Sequence, residues 1–215
     1  MKKEFEMKNK LILFDWGNIV ESHTTGYSCY NAWDDLFLAC GYTGRDFSYS
    51  NLSEYRLSCK KTIEEFKMTY NQILKDFNLN TTFEEFCALY KKTFDKVDYY
   101  PEVAKYETSL KDKCYIGIFS NLNILDKERL DKQVDLSKYD YVFLSYEMES
   151  KKPEFEIFEK VQNQLSFEPN NILFIDDKKV NIETAKKIGW ETLMATGLEL
   201  EKIKRRCEEF INQEE

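Results

Sequence analysis

Two apolar runs in this chain end in acids. Leu11-Ile12-Leu13-Phe14 runs into Asp15 and then Trp16-Gly17-Asn18, and far downstream Ile172-Leu173-Phe174-Ile175 runs into Asp176-Asp177. A short apolar run bounded by turn residues reads as a buried strand. Each strand then delivers a carboxylate to its carboxyl end, the edge at which open parallel α/β sheets bind ligands. Carboxylates brought together there repel one another unless a cation intervenes. The two strand ends therefore point to one shared acidic site that holds a metal or an activated carboxylate.

The elements that must position these acids alternate in the C-terminal half. Tyr115-Ile116-Gly117-Ile118-Phe119 is a further buried-strand candidate, followed by the turn or cap residues Ser120-Asn121. Tyr141-Val142-Phe143-Leu144 and Glu191-Thr192-Leu193-Met194-Ala195 read as strands as well. Between them Phe155, Phe158, Val161 and Leu165 recur at helical spacing, and Pro153 suits the start of that helix. Ile182, Ala185 and Ile188 mark a helix from about Val180 to Ile188 that Gly189 closes, and Glu199 to Phe210 reads as a terminal helix. This alternation predicts a parallel sheet covered by helices.

The stretch from about His23 to Asp98 has few strand signals. Its apolar residues recur at helical spacing through Trp33, Leu36, Phe37 and Cys40, through Ile63, Phe66, Met68, Tyr70 and Ile73, and through Phe83, Phe86, Leu89 and Tyr90. The polar stretch Gly41 to Ser53 reads as a loop between helices. The segment reads as a small helical domain inserted directly after the first strand. Its many Tyr and Phe rings are expected to be core, with some facing the acidic site.

In chain order the sequence thus presents hydrophobic-Asp15, hydrophobic-Ser120-Asn121, Lys151-Lys152-Pro153 and hydrophobic-Asp176-Asp177. This order closely resembles the four motifs of the haloacid dehalogenase superfamily, in particular the subgroup whose first motif reads Phe-Asp-x-Gly-Asn and which includes sugar-phosphate phosphatases. The resemblance covers roughly residues 11–22 and 100–197. It implies an α/β Rossmann-like core with strand order 5-4-1-2-3, formed by residues 1–22 and 99–215, and a helical cap formed by residues 23–98. It also implies roles. Asp15 would be the nucleophile that forms an aspartyl-phosphate. Mg²⁺, which favours hard oxygen ligands, would be held by Asp15, Asp177 and the Gly17 carbonyl, with Asp176 a direct ligand or a holder of metal-bound water. Ser120 and the backbone around Asn121 would donate to phosphate oxygens, Lys152 would offset the gathered negative charge, and Asn181 would orient the acids.

The chain departs from most phosphatases of that superfamily at Gly17, where they carry a second aspartate that acts as acid and base. Such help is typically worth ~10²–10⁴-fold. Glu21 and His23, the single histidine, are the candidates to replace it at the hinge into the insert. The expected activity is Mg²⁺-dependent hydrolysis of a small phosphorylated metabolite, sugar phosphates first. Two other readings stay open: a 2-haloacid dehalogenase, which uses the same aspartate without a metal, and a catalytically silent binding protein that has kept the fold.

Bulk properties narrow the partners. A formal charge of −8 speaks against a nucleic-acid surface. Six cysteines without a CxxC pair make a poor zinc pattern and suit free thiols in a reducing compartment. The charged first ten residues lack the apolar core of a signal peptide, and no segment approaches the ~20 apolar residues of a membrane span. The expectation is a cytoplasmic protein, monomer or homodimer. The charged stretches Asp126-Lys127-Glu128-Arg129 and Lys202 to Arg206 read as solvated helical faces.

Overall fold

The computed structural model describes residues 9–22, 25–44 and 52–213; His23 lies outside the described residues. Five parallel strands form one sheet: β1 (Leu11–Phe14), β2 (Tyr115–Ser120), β3 (Tyr141–Leu144), β4 (Ile172–Asp176) and β5 (Glu191–Met194), in the order β3-β2-β1-β4-β5. This is the expected 5-4-1-2-3 arrangement. The central strand β1 is wholly buried because both of its faces are covered. Leu11 and Leu13 pack with Ile157, Phe158 and Val161 on one side, whereas Ile12 and Phe14 pack with Val103, Ile203 and Phe210 on the other. The register puts Leu13 opposite Gly117, where a Cβ would stand 2.8 Å from Leu13 Cδ2 and 2.9 Å from the Tyr141 carbonyl. Only glycine fits between those strands.

Among the described residues the α-helices are α1 (Cys29–Ala39), α2 (Ile63–Asp76), α3 (Phe83–Phe94), α4 (Pro101–Ser109), α5 (Lys127–Gln133), α6 (Ser145–Met148), α7 (Phe155–Gln162), α8 (Lys179–Lys187) and α9 (Leu200–Ile211). The first three lie between β1 and β2 in the chain and share a hydrophobic core of their own, built from Trp33, Leu36, Phe37, Phe66, Tyr70, Ile73, Phe86, Tyr90 and Phe94. Each is started by a reciprocal cap: Ser28 with Asn31, Thr62 with Glu65, and Thr82 with Glu85. Tyr90 and Phe94 stack at 4.1 Å, and Trp33 meets Phe94 edge-on at 5.2 Å. Met68 was expected in this core but is exposed. Phe66, Tyr70 and Ile73 occupy positions i, i+4 and i+7 of α2, which puts a residue at i+2 on the opposite face.

Pro153 does not start α7 as the sequence suggested. Residues 151–154 form a turn, with Glu154 N–H donating to the Lys151 carbonyl at 2.9 Å, and the helix begins at Phe155. The turn is pinned from outside. Asn121 Nδ2 donates to the Lys152 carbonyl (2.8 Å), and Lys152 N–H donates to Asn121 Oδ1 (2.9 Å). The chain can turn helical only after that clamp. The buried face of α7 is accordingly Ile157, Phe158 and Val161, and Phe155 is left exposed.

Away from the sheet edge, Glu107 of α4 is completely buried and accepts a 2.5 Å hydrogen bond from the Tyr139 hydroxyl. Burial pushes its carboxyl up to about 8 from the ordinary 4.5, against the pull of that hydrogen bond. Between those two values the unfolded chain gives up this proton and the folded chain keeps it, so the stabilising contribution present at low pH is lost as pH rises. Glu107→Gln keeps a neutral acceptor for Tyr139. It is expected to be more stable than wild type at pH 8, by roughly 2–4 kcal/mol, and nearly equal to it at pH 4.5. Urea unfolding at the two pH values checks this.

Candidate active site

The parallel register of β1 and β4 pairs Phe14 with Ile175, and Asp15 N–H continues the ladder by donating to the Ile175 carbonyl at 2.9 Å. Asp15 and Asp176 therefore leave adjacent strands at the same level. On the other side of β1, Ser120 closes β2, and its hydroxyl donates to Asp15 Oδ1 at 2.6 Å. The Trp16 N–H donates to the same oxygen at 2.7 Å. Two donors on one oxygen fix the plane of the Asp15 carboxylate.

Lys152 reaches this edge from the clamped turn. Its ammonium donates to Asp176 Oδ2 (2.7 Å) and to the Phe119 carbonyl (2.7 Å), and stands 3.1 Å from Asp15 Oδ1. All three side chains are buried. Asn181, in the first turn of α8, donates to both oxygens of Asp176 (3.0 and 2.9 Å), and the Lys178 N–H donates to Oδ1 (2.8 Å). The side-chain amide of Asn121 is occupied by the Lys152 backbone, which leaves its main chain, the part expected to donate to a phosphate.

The charges do not balance. Burial would raise the Asp15 carboxyl, but Lys152, the Ser120 hydrogen bond and Lys178 outweigh it and hold the group below its ordinary range. Asp176 is pushed up by burial and by the Asp15 charge, to about 6, in spite of Lys152. Asp177 is also raised, by burial first and by Asp15 second. One ammonium in the interior serves three acids. Oxygens of Asp15, Asp176 and Asp177 lie within 4.8 Å of one another, and Asp177 Oδ1 is buried without a hydrogen-bond partner. A cluster of hard carboxylate oxygens with one left unsatisfied fits a divalent cation such as Mg²⁺.

Two residues that sequence reasoning missed complete this edge. Asn18 Nδ2 donates to Asp177 Oδ2 at 3.0 Å, from a left-handed backbone (φ 59°) that asparagine tolerates. The Gly-Asn pair in the first motif was the available signal. Gly197 N–H in turn donates to the Asn18 carbonyl at 2.8 Å; a Cβ at Gly197 would stand 2.2 Å from the Ile19 carbonyl, so the glycine permits this approach. Lys178 is the second missed residue. It is exposed at the rim; partial desolvation lowers its ammonium, but Asp15 and Asp177 outweigh that and raise it.

A cavity of about 390 Å³ opens from this edge toward the helical insert, lined on the core side by Asp15, Gly17 and Ser120 and on the insert side by Trp33, Tyr90 and Phe94. Glu21 also lines it, pairs with Gly17 through an isolated β-bridge and is ion-paired with Arg129. Here the sequence reading of Asp126 to Arg129 as a solvated face needs correction. Lys127 and Glu128 are exposed, but Asp126 and Arg129 are buried. The spacing of three residues puts Asp126, which precedes α5, and Arg129 in its first turn on one side, turned toward Tyr90, Asn123 and Glu21.

A family model for haloacid dehalogenase-like hydrolases matches residues 13–195. The chain belongs to the haloacid dehalogenase-like hydrolase family. It is 25% identical over 195 residues to D-ribitol-5-phosphate phosphatase of Bacteroides thetaiotaomicron, covering 85% of this chain and 90% of that protein. Among solved structures it is similar to a family enzyme of Bacteroides thetaiotaomicron in complex with magnesium and inorganic phosphate, with a TM-score of 0.70, 19% identity and coverage of 87% and 94% of the two chains. It is also similar to L-2-haloacid dehalogenase from Xanthobacter autotrophicus, with a TM-score of 0.56, 16% identity and coverage of 91% and 82%. Hydrolase activity thus comes with the family, and the five-stranded sheet with the shared fold. No helix among the described residues is long and apolar enough to cross a membrane.

Lys152→Met removes the ammonium from between two buried carboxylates. Breaking a buried ion pair from one side costs about 3–5 kcal/mol. With EDTA present, the variant is expected to lose about that much unfolding free energy at pH 7.5 and clearly less at pH 5, where the unpaired acids take up protons. An equal loss at both pH values would show that Lys152 acts through packing alone.

Proposed function

We propose that this hydrolase is an Mg²⁺-dependent phosphatase of small phosphorylated metabolites, sugar or polyol phosphates first, working through an aspartyl-phosphate on Asp15. The observation that carries this reading is the imbalance of charge at the sheet edge: three acids, one interior ammonium and a buried carboxylate oxygen with no partner. A 2-haloacid dehalogenase needs no cation, so it leaves that cluster without a purpose. The relative named as a ribitol-5-phosphate phosphatase supports the substrate class.

In this reading Asp15 attacks phosphorus, and its carboxylate is aimed by Trp16 N–H and Ser120. With substrate bound, the Ser120 hydroxyl turns its single proton from Asp15 to a phosphoryl oxygen, beside nearby backbone N–H groups, and the Lys152 ammonium offsets the charge that gathers as the bond to the leaving oxygen lengthens. Asn181 and the Lys178 N–H keep Asp176 in place. Asp15, Asp177 and the Gly17 carbonyl would hold Mg²⁺, with Asp176 as ligand or as holder of its water; the ion supplies charge neutralisation for the phosphate. The helical insert serves as a cap over the cavity and excludes bulk water from it. Gly17 offers no side chain to protonate the leaving oxygen. Glu21 is buried beside it, but Arg129 holds its carboxylate.

The purified protein should release phosphate from a panel of sugar and polyol phosphates with Mg²⁺, and lose this with EDTA. Asp15→Asn removes the nucleophile and should lower turnover by at least about 10³-fold. Metal-independent halide release from 2-chloropropionate would favour the dehalogenase instead. Mg²⁺ binding without any turnover would favour a silent member of the family.

A further inference from the structure

The cavity has a second polar cluster, apart from the carboxylates of the sheet edge, that the phosphoryl chemistry does not use. Its centre is Arg129. Nη2 stands 2.5 Å from Asp126 Oδ1, Nη1 is ion-paired with Glu21, and the guanidinium lies over the ring of Trp16 at 4.6 Å. Asp126 has partners on both oxygens: Oδ1 also accepts from the Tyr90 hydroxyl at 2.5 Å, and Oδ2 accepts from Asn123 N–H at 2.9 Å. Tyr90 in turn accepts from Asn123 Nδ2 at 2.8 Å. Two donors are left over. Arg129 Nε and Trp16 Nε1 are both buried, and neither has a hydrogen-bond partner. Both residues line the same cavity. A buried unsatisfied donor costs free energy comparable to a lost hydrogen bond, so two of them on one cavity call for an acceptor that enters it.

The charge around these donors restricts what that can be. One guanidinium faces two carboxylates, Glu21 and Asp126, so the cluster is not electropositive. Arg129 is pushed down to about 9 by burial and is still cationic at neutral pH, and Asp126 is pushed up to about 6 by the same cause and is still largely ionised there. An anion would enter against the two acids. A neutral oxygen acceptor would not. The walls beside the donors are the rings of Trp16, Trp33 and Phe94, which suit the C–H faces of a carbohydrate chain or ring.

We infer that Arg129 and Trp16 form a specificity site that reads neutral hydroxyl oxygens of the leaving group, selecting polyhydroxylated phosphomonoesters over esters whose far end carries a second anion. The inference rests on the phosphatase reading for its orientation, with the phosphate at Asp15 and the hydroxyls at Arg129. Arg129→Lys is the informative variant, because it keeps a cation for Glu21 and Asp126 but removes the Nε donor and the planar fork.

Binding is measured by calorimetry with Mg²⁺ on the Asp15→Asn protein, so that no turnover is needed. The probes are a pentitol 5-phosphate, the matching pentonate 5-phosphate with a terminal carboxylate, and orthophosphate. The pentitol ester should bind more tightly than both others, and Arg129→Lys should weaken it at least about tenfold while weakening orthophosphate much less. Trp16→Phe, which preserves the backbone N–H on Asp15, should weaken the pentitol ester in the same selective way. Equal weakening of pentitol ester and orthophosphate would overturn the inference, as would tighter binding of the carboxylate-terminated ester or no advantage of the pentitol ester over orthophosphate. The phosphatase reading fails separately, if the wild-type protein with Mg²⁺ releases no phosphate from any ester; the binding comparison still decides the role of Arg129.

Discussion

A single buried ammonium lies between two buried carboxylates at the end of the central strands, and the rest of the sheet edge is arranged around it. Lys152 touches Asp15 and Asp176 on adjacent strands and the carbonyl of Phe119 on a third. Taking these charges out of water costs several kcal/mol per ion, and their attraction offsets that only if the geometry is held. The holding is visible. Asn121 clamps the backbone of Lys152 from both sides, Asn181 and the Lys178 N–H bracket Asp176, and Ser120 with the Trp16 N–H brackets Asp15. The rings of Phe119 and Phe174 both lie 5.0 Å from the ammonium and keep water away from it. The parallel register does the rest, because it fixes the level at which each strand presents its acid.

Such an edge is unsatisfied by design of its charges. The acids outnumber the interior cation, and one oxygen of Asp177 is left without a donor. In the proposed function, this is where a cation and a charged substrate would lower the free energy of the protein. The loops that carry the acids are tied to one another rather than left free: Asn18 bonds Asp177, and Gly197 bonds Asn18. Binding at this edge therefore meets a preorganised frame, which reduces the cost of ordering it.

The helical insert contributes in a different way. Its core is aromatic and self-contained, with three capped helices packed through Trp33, Tyr90 and Phe94. Where it meets the sheet domain, Ile124 and Leu125 pack against that core and polar contacts stand beside them: Tyr90 donates to Asp126, Arg56 pairs with Glu154, and the Ser58 carbonyl accepts from Ser145 at 2.6 Å. In the proposed function these polar contacts give the site two characters, an acidic strand edge for a phosphate and a hydrogen-bonding wall for what is attached to it.

The strands and the helical character of the stretch between β1 and β2 were legible in the sequence, because each is a local pattern. An apolar run that ends in Asp15 or Asp176 announces a buried strand with a carboxylate at its end, and helical spacing from Trp33 to Tyr90 announces helices whatever they pack against. Periodicity could not say that Met68 would face solvent, since that depends on which side of α2 meets its neighbours. It could not show that the helix after Pro153 would wait for Phe155, because the clamp that delays it comes from Asn121, about thirty residues earlier. Nor could it tell Asp126 and Arg129 from an ordinary solvated pair. Charge spacing along a helix is the same for exposed and buried faces. Whether a charge is buried is decided by partners distant in sequence, here Glu21 and Tyr90, and only the tertiary structure brings those partners together.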